Sequence, residues 1–163
     1  MRMLNNASWG FESNCFVCER ANVQGLQIPF AHDEGRGAVI AEFSLGPAFS
    51  GAPTYVHGGV VSAVLDEAMA WAAIGVGGTF AVTAELMVRF ERPVRVGRPH
   101  RVEATLLDRT SHDIHAQARV LDDRDRTCAS ATARLVPLGP TQAADAVGAE
   151  LTATDAALVT GDD

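Results

Sequence analysis

One segment constrains this chain more than any other: Gly58 to Ile74, a proline-free apolar run that stops against Gly75, Gly77 and Gly78. Glycines just past the last apolar residue are a helix stop signal, so the run predicts one long helix. Downstream the apolar period changes from that of a helix to two. Phe80–Glu91, Arg98–Arg109, Asp113–Leu121 and Thr127–Val136 read as three or four long strands, parted by turns such as Pro93–Gly97 and Asp122–Asp125. In the first of them Phe80, Val82, Ala84, Leu86, Val88 and Phe90 are expected on one face, and Thr79, Thr83, Glu85, Met87 and Arg89 on the other. That alternation belongs to an antiparallel sheet with one face on a core. Upstream, Leu26, Ile28 and Phe30 suggest a short strand, Ala38–Leu45 a second, and the Gly-, Pro- and Ser-rich stretch 46–54 a loop. One long helix and about six strands predict an α+β domain whose antiparallel sheet wraps the helix.

The 163 residues suffice for one domain with a real core. Residues 1–24 read as a poorly periodic lead-in, 25–138 as the folded domain, and 139–163 as an acidic tail. A weak helix around Ala143–Ala157 competes there with disorder, and disorder is expected. The tail holds Asp145, Glu150, Asp155, Asp162 and Asp163 and no basic residue; taking those five charges from the net −7 leaves −2 for the body. A nearly neutral body says little about partners. Every basic side chain is Arg, so Schiff-base chemistry and the lysine of a nucleotide-binding P-loop are excluded. No apolar run approaches the roughly 20 residues of a bilayer span and no leader pattern opens the chain, so a cytoplasmic location without membrane attachment is expected. Cys15 and Cys18 form a CxxC pair and Cys128 stands apart. One pair supplies two of the four ligands of a structural zinc site. Buried small hydrophobes are therefore the expectation, with no metal and no cofactor.

The chemistry concentrates in His57-Gly58-Gly59-Val60-Val61-Ser62-Ala63-Val64-Leu65-Asp66-Glu67. On a helix, Gly59, Ser62, Ala63, Met69, Ala70 and Ala73 fall near Asp66, almost all small, while Val61, Val64, Ala68 and Trp71 lie opposite. The large stripe can pack on the sheet; the small face leaves room beside a carboxylate, with Glu67 expected to be exposed. A carboxylate amid apolar residues costs desolvation energy unless it is paired or functional. His57 and the two glycines open the same helix, where unpaired N–H groups and partial positive charge can hold a carbonyl oxygen and stabilise an oxyanion. His57 and Asp66 lie nine residues apart, about 13 Å along a helix. They can serve one substrate only if two antiparallel copies face each other, so a shared site entails a homodimer.

The string HGGVVSAVLDEAMAWAA resembles the helix of the hotdog-fold acyl-CoA thioesterases of the phenylacetate-degradation type, whose signature is His-Gly-Gly followed by an acid nine positions after the His. The strand from Thr83 to Val94 is similar to that family's long strand after the helix, and Cys15-Phe-Val-Cys18 with Gly25-Leu26 resembles the lead-in of one branch. The resemblance spans roughly Cys15 to Val136. It implies a hotdog fold for 25–138 and hydrolysis of an acyl thioester. Asp66 would be general base or nucleophile, and the Gly58 amide would polarise the carbonyl. His57 would orient the turn, and Thr83 would help place water or the acid. Gly59, Ser62, Ala63 and Ala70 are expected to line the substrate. Two departures stand out: Gly51 occupies the position six before the His where some members carry Asn, and Glu19 follows the CxxC where Gly is usual.

Arg89, Arg92, Arg95, Arg98 and Arg101, with His100, face only Glu91 over the same stretch. Arginine suits the phosphates of coenzyme A, and Arg89 and Arg92 are the expected substrate contacts; a solvated strand end is the plainer reading for any one of them. Few aromatics interleave with this run, which argues against nucleic acid. The expected partner is a small-molecule acyl thioester on coenzyme A or acyl carrier protein, in a homodimer or a homotetramer. The alternatives are a non-catalytic acyl-CoA-binding domain and, less favoured, a hydratase or dehydratase on the same fold.

Overall fold

The computed structural model describes residues 1–148. Strands β1 (Arg2–Met3), β2 (Ala31–Asp33) and β3 (Ala38–Phe43) precede a small hairpin of β4 (Ser50–Ala52) and β5 (Tyr55–Val56). Helix α1 (Gly58–Gly75) follows, then β6 (Ala81–Phe90), β7 (His100–Arg109), β8 (Ile114–Leu121), β9 (Thr127–Pro137) and helix α2 (Pro140–Val147). Seven strands form one antiparallel sheet in the order β1-β2-β3-β7-β8-β9-β6, with β4 and β5 pairing separately. The sheet curls around α1, which touches β3, β6, β7, β8 and β9. The α+β expectation stands, with one more strand in the main sheet than the pattern implied.

Small side chains let the helix sit close to the sheet. Ala116 and Ala118 of β8 and Ala129, Ala131 and Ala133 of β9 form an alanine floor, edged by Val102, Ile114, Val120 and Leu135. Onto this floor α1 lowers Val61, Val64, Leu65, Ala68, Trp71 and Ala72. Each fully buried Val, Leu or Ile there contributes about 1.5–3 kcal/mol. Met69 and Ala73, grouped with Asp66 on the helical wheel, are also fully buried. By length and apolarity alone α1 would satisfy a bilayer; here the wrapped sheet surrounds it.

Three expectations change. Leu26, Ile28 and Phe30 are buried but pair in no strand; the strand begins at Ala31. Their spacing of two reflects core packing, while the backbone bonds run from Leu26 N to Phe16 O and from Ile28 N to Val17 O. The tail opens as the helix α2 rather than as disorder. Pro140 sits in its first turn, Gln142 Oε1 accepts the Gly139 amide, and Gly148 ends it in a left-handed conformation. The rest of the expected tail, 149–163, lies outside the described residues.

The third change matters most. β6 is a sheet edge, and its pairing with β9 slips by one residue between Thr83 and Glu85. Thr83 stands opposite Leu135, and beyond the bulge Leu86, Val88 and Phe90 stand opposite Ala133, Ala131 and Ala129. These β9 residues all point to the core. A one-residue bulge reverses the face of everything beyond it. Thr83 therefore shares the helix side with Leu86, Val88 and Phe90, and Val82, opposite Val136, faces out. The unbroken alternation expected for this strand does not occur.

Candidate active site

His57 is the N-cap of α1. Its Nδ1 accepts the Gly59 amide at 2.9 Å, and its carbonyl accepts the amides of Val60 and Val61 at 2.9 and 3.0 Å. A helix start leaves four amides without intrahelical partners. The Val61 bond is the first within the helix; of the four open amides, Phe49 O takes that of His57, His57 itself takes those of Gly59 and Val60, and no acceptor among the described residues meets that of Gly58. Two glycines pack tightly against the cap. A Cβ on Gly59 would lie 3.1 Å from His57 Nδ1, and one on Gly51 would lie 3.1 Å from His57 Cα. The backbone also holds the cap from below, through His57 N to Phe49 O at 2.9 Å. An Asn at position 51 would press on the cap, which gives the Gly51 departure a physical reason.

Gly58 opens onto a cavity of about 300 Å³ lined by Tyr55, Val61, Phe90, Arg92 and Pro93. Ser62 donates from Oγ to Gly58 O at 2.9 Å, one turn on. Asp66 lies eight residues along the helix, about 12 Å away. There Thr83 Oγ1 donates to Asp66 Oδ1 at 2.7 Å. Both residues are half-buried. Oδ2 of Asp66 has no partner among the described residues.

The structure therefore joins His57, Gly58, Gly59 and Ser62 in one constellation and Asp66 with Thr83 in another. Ala63 packs on the core beside them, and Ala70 lines a different cavity, under the lead-in. Arg92 sits at the mouth of the Gly58 cavity and donates to Thr127 O at 2.7 Å. Arg89, opposite Ser130, lies on the outer face of the sheet in a cavity with Arg36, Glu103 and Arg119, away from the helix. That placement removes it from the Gly58–Asp66 side, again because of the β6 bulge. The basic run divides further. Arg92, Arg95 and Arg98 line one cavity of about 440 Å³, with Arg95 stacked on Tyr55, whereas Arg101 is tied to Glu103 and Asp125.

Glu67 is not the exposed neighbour expected. The lead-in folds over it, and Cys15 Sγ donates to Glu67 Oε1 at 3.4 Å. Burial, helped by charge on Cys15, pushes the Glu67 carboxyl up to about 8. Hydrogen bonding with Cys18 draws the Cys15 thiol down to about 5 and pushes Cys18 up. The one available sequence signal was the pairing of two acids in an apolar helix, which asks for a partner for each.

A helix wrapped by an antiparallel sheet, with its amino end at a cavity and a half-buried carboxylate at mid-length, defines a hotdog-fold domain. Residues 54–129 match the family model described as the thioesterase superfamily. Among solved structures the chain is similar to a thioesterase superfamily protein at 23% identity, covering 83% of this chain and 70% of that one with a TM-score of 0.70. It is also similar to a phenylacetic acid degradation-related protein from Ralstonia eutropha JMP134, at 25% identity over 68% of this chain and 85% of that one, TM-score 0.61. A third likeness is to smu.793 from Streptococcus mutans UA159, solved bound to acetyl CoA, at 17% identity over 63% and 82%, TM-score 0.59. No curated protein matches the chain.

Proposed function

We propose that this protein hydrolyses an acyl thioester, with coenzyme A as carrier, at sites shared between two copies in a cytoplasmic homodimer. The observation that carries this reading is the Thr83–Asp66 hydrogen bond, which orients a carboxylate on an apolar helix and leaves its second oxygen without a partner among the described residues. Such a carboxylate can take a proton from water while the water oxygen attacks the thioester carbonyl carbon. The carbonyl oxygen becomes an oxyanion, and the Gly58 amide, the one first-turn donor that His57 leaves open, is suited to hold it. Collapse breaks the C–S bond, and the thiolate leaves with the proton that Asp66 took. Direct attack by Asp66, followed by hydrolysis of the anhydride, uses the same groups and gives the same products.

Because Gly58 and Asp66 of one chain are about 12 Å apart, each site takes its oxyanion donor from a second copy. The fold favours such a pairing. Among the described residues β6 has no partner on its outer edge, and it carries Val82, Leu86, Met87 and Phe90, all exposed. An edge of this kind invites a further strand. Antiparallel β6–β6 pairing across a twofold axis runs the two helices antiparallel beneath it. Arg92, Arg95 and Arg98 supply cations at the mouth for phosphates, and the acetyl CoA held by the Streptococcus mutans relative is consistent with that carrier. The three thiols are unpaired, as a reducing compartment allows. Acyl-CoA binding without turnover is the competing reading, which the same likeness also suits. Thiol release across an acyl-CoA panel decides between them. Wild type should turn over and Asp66→Asn should lose at least about 10²-fold in rate; equal rates for the two proteins would remove Asp66 from the mechanism.

A further inference from the structure

We propose that Cys15, Cys18 and Glu67 form a binding site for a thiophilic divalent cation of the zinc class, clipping the lead-in to α1 beside Asp66. The ligand atoms of these three residues lie within 4.8 Å of one another. A tetrahedral ion about 2.3 Å from sulfur and about 2.1 Å from oxygen holds those atoms about 3.6 Å apart. Cys15 Sγ and Glu67 Oε1, 3.4 Å apart, meet that spacing within a few tenths of an ångström, and both pairs with Cys18 lie within 4.8 Å.

The turn around the sulfurs has the donors that a metal thiolate needs. The amides of Val17 and Cys18 both point at Cys15 Sγ, each at 3.3 Å, and Asn6 Nδ2 approaches Cys18 Sγ at 3.8 Å. N–H groups aimed at sulfur stabilise thiolate and orient it toward a metal. The turn is anchored independently of any ion, by Leu26 N to Phe16 O at 2.8 Å and Ile28 N to Val17 O at 2.9 Å. Gly25 permits that approach, since a Cβ there would lie 2.5 Å from Phe16 O. The third ligand comes from 49 positions beyond Cys18, which is why the spacing of the cysteines alone reads as an incomplete site. Cys15 and Glu67 also line a cavity of about 430 Å³ with Asn6, Phe11, Trp71 and Phe80, a source of water or a small donor for a fourth ligand.

Binding displaces whatever protons Cys15, Cys18 and Glu67 hold, releases them to solvent, and forms two metal–sulfur bonds and one metal–oxygen bond; no electron changes hands. The ion also supplies a counter-charge to Glu67, directly after Asp66 in the helix. This inference is independent of the hydrolase reading, because its test reads metal rather than turnover.

The test is a Co²⁺ titration of the reduced full-length chain, followed by the sulfur-to-cobalt charge-transfer absorption, with Zn²⁺ competition. One equivalent per chain is expected, displaced by Zn²⁺. Cys15→Ser and Cys18→Ser should each abolish the band, Glu67→Gln should weaken binding at least 10-fold, and Cys128→Ala should leave it unchanged. The wild-type band needs no variant, so a misfolded serine variant does not spare the idea. Absence of a charge-transfer band in the wild type, or a band that survives loss of both Cys15 and Cys18, overturns the site. So does a reduced protein that binds no Zn²⁺ and simply closes a Cys15–Cys18 disulfide in air.

Discussion

Thr83 Oγ1 lies 2.7 Å from Asp66 Oδ1, and it reaches that oxygen because the following residue, Ala84, is the extra one in β6. With uninterrupted pairing, a strand that turns Leu86, Val88 and Phe90 toward the helix would turn Thr83 away from it. A backbone irregularity thus places a side chain against the mid-helix acid Asp66. Removing the hydroxyl while keeping the shape tests its value. Thr83→Val should lower kcat about 10-fold, in line with one hydrogen bond to a charged group, and leave the oligomeric state unchanged. Thr83→Ser should recover most of the loss. A Val variant with wild-type kcat would show that the hydroxyl only fills space.

The bulge itself can be tested. Deleting Ala84 restores regular pairing at the cost of turning either Thr83 or the Leu86–Phe90 series to the other face. The apolar series is the larger energy, so the deletion should keep the fold and move Thr83 outward. Activity should then fall at least as far as in Thr83→Val. A deletion variant with unimpaired thiol release would separate the bulge from the chemistry.

His57 caps α1 through Nδ1, so its loss has a structural part and a catalytic part. His57→Ala should cost about 1 kcal/mol of stability, the usual worth of an N-cap, measured by urea unfolding. Asn, a strong N-cap residue, should recover that stability at the same position. If activity returns with it, His57 acts by holding the turn; stability without activity would assign the imidazole a direct contact.

Edge pairing makes its own demand. Leu86 is 39% exposed on the helix side of the edge strand β6. Leu86→Glu places like charges close together in a twofold β6–β6 pair and should give a monomer by sedimentation, with at least about 100-fold less thiol release. A fully active monomer would contradict a site shared between copies.

Glu103, 6% exposed, is met by Arg101 Nε at 2.9 Å, Arg119 Nη2 at 3.0 Å and Arg36 Nη2 at 3.5 Å. Burial alone would raise its pKa; the hydrogen bonds from Arg119 and Arg101 and the charge of Arg36 together outweigh it and hold the carboxyl below its ordinary 4.5. As pH falls, the unfolded chain therefore takes up this proton first. The stability that the cluster provides is complete above about 4.5 and is lost as pH drops through the lower folded value. Glu103→Gln should cost about 2 kcal/mol at neutral pH and flatten the acid limb of a stability–pH curve. An unchanged acid limb would mean that other carboxylates set it.

Local patterning carried much of this fold. The position and ends of α1 were legible because an apolar run and terminal glycines are local signals, and β7, β8 and β9 were legible because alternation survives over most of their length, their register shifts falling near strand ends. The short strand near Leu26 was misplaced because buried loop residues and strand residues share a period of two. The small α2, weighed as a weak helix around Ala143–Ala157, was set behind disorder because its stabilisation lies in capping, by Pro140, Gln142 and Gly148, rather than in an apolar stripe.

By itself, the sequence determined that one helix would carry a capped glycine start and a mid-helix acid, and that those two features stand too far apart to meet within one copy. Backbone rise alone dictates that distance. Only the tertiary structure decided that Thr83 faces Asp66, that Arg89 does not share their side, and that Cys15 meets Glu67 from 52 residues away. The reason is physical: a bulge reverses the faces of a strand without altering its residue pattern. A contact between distant segments depends on where the whole core lets them come to rest.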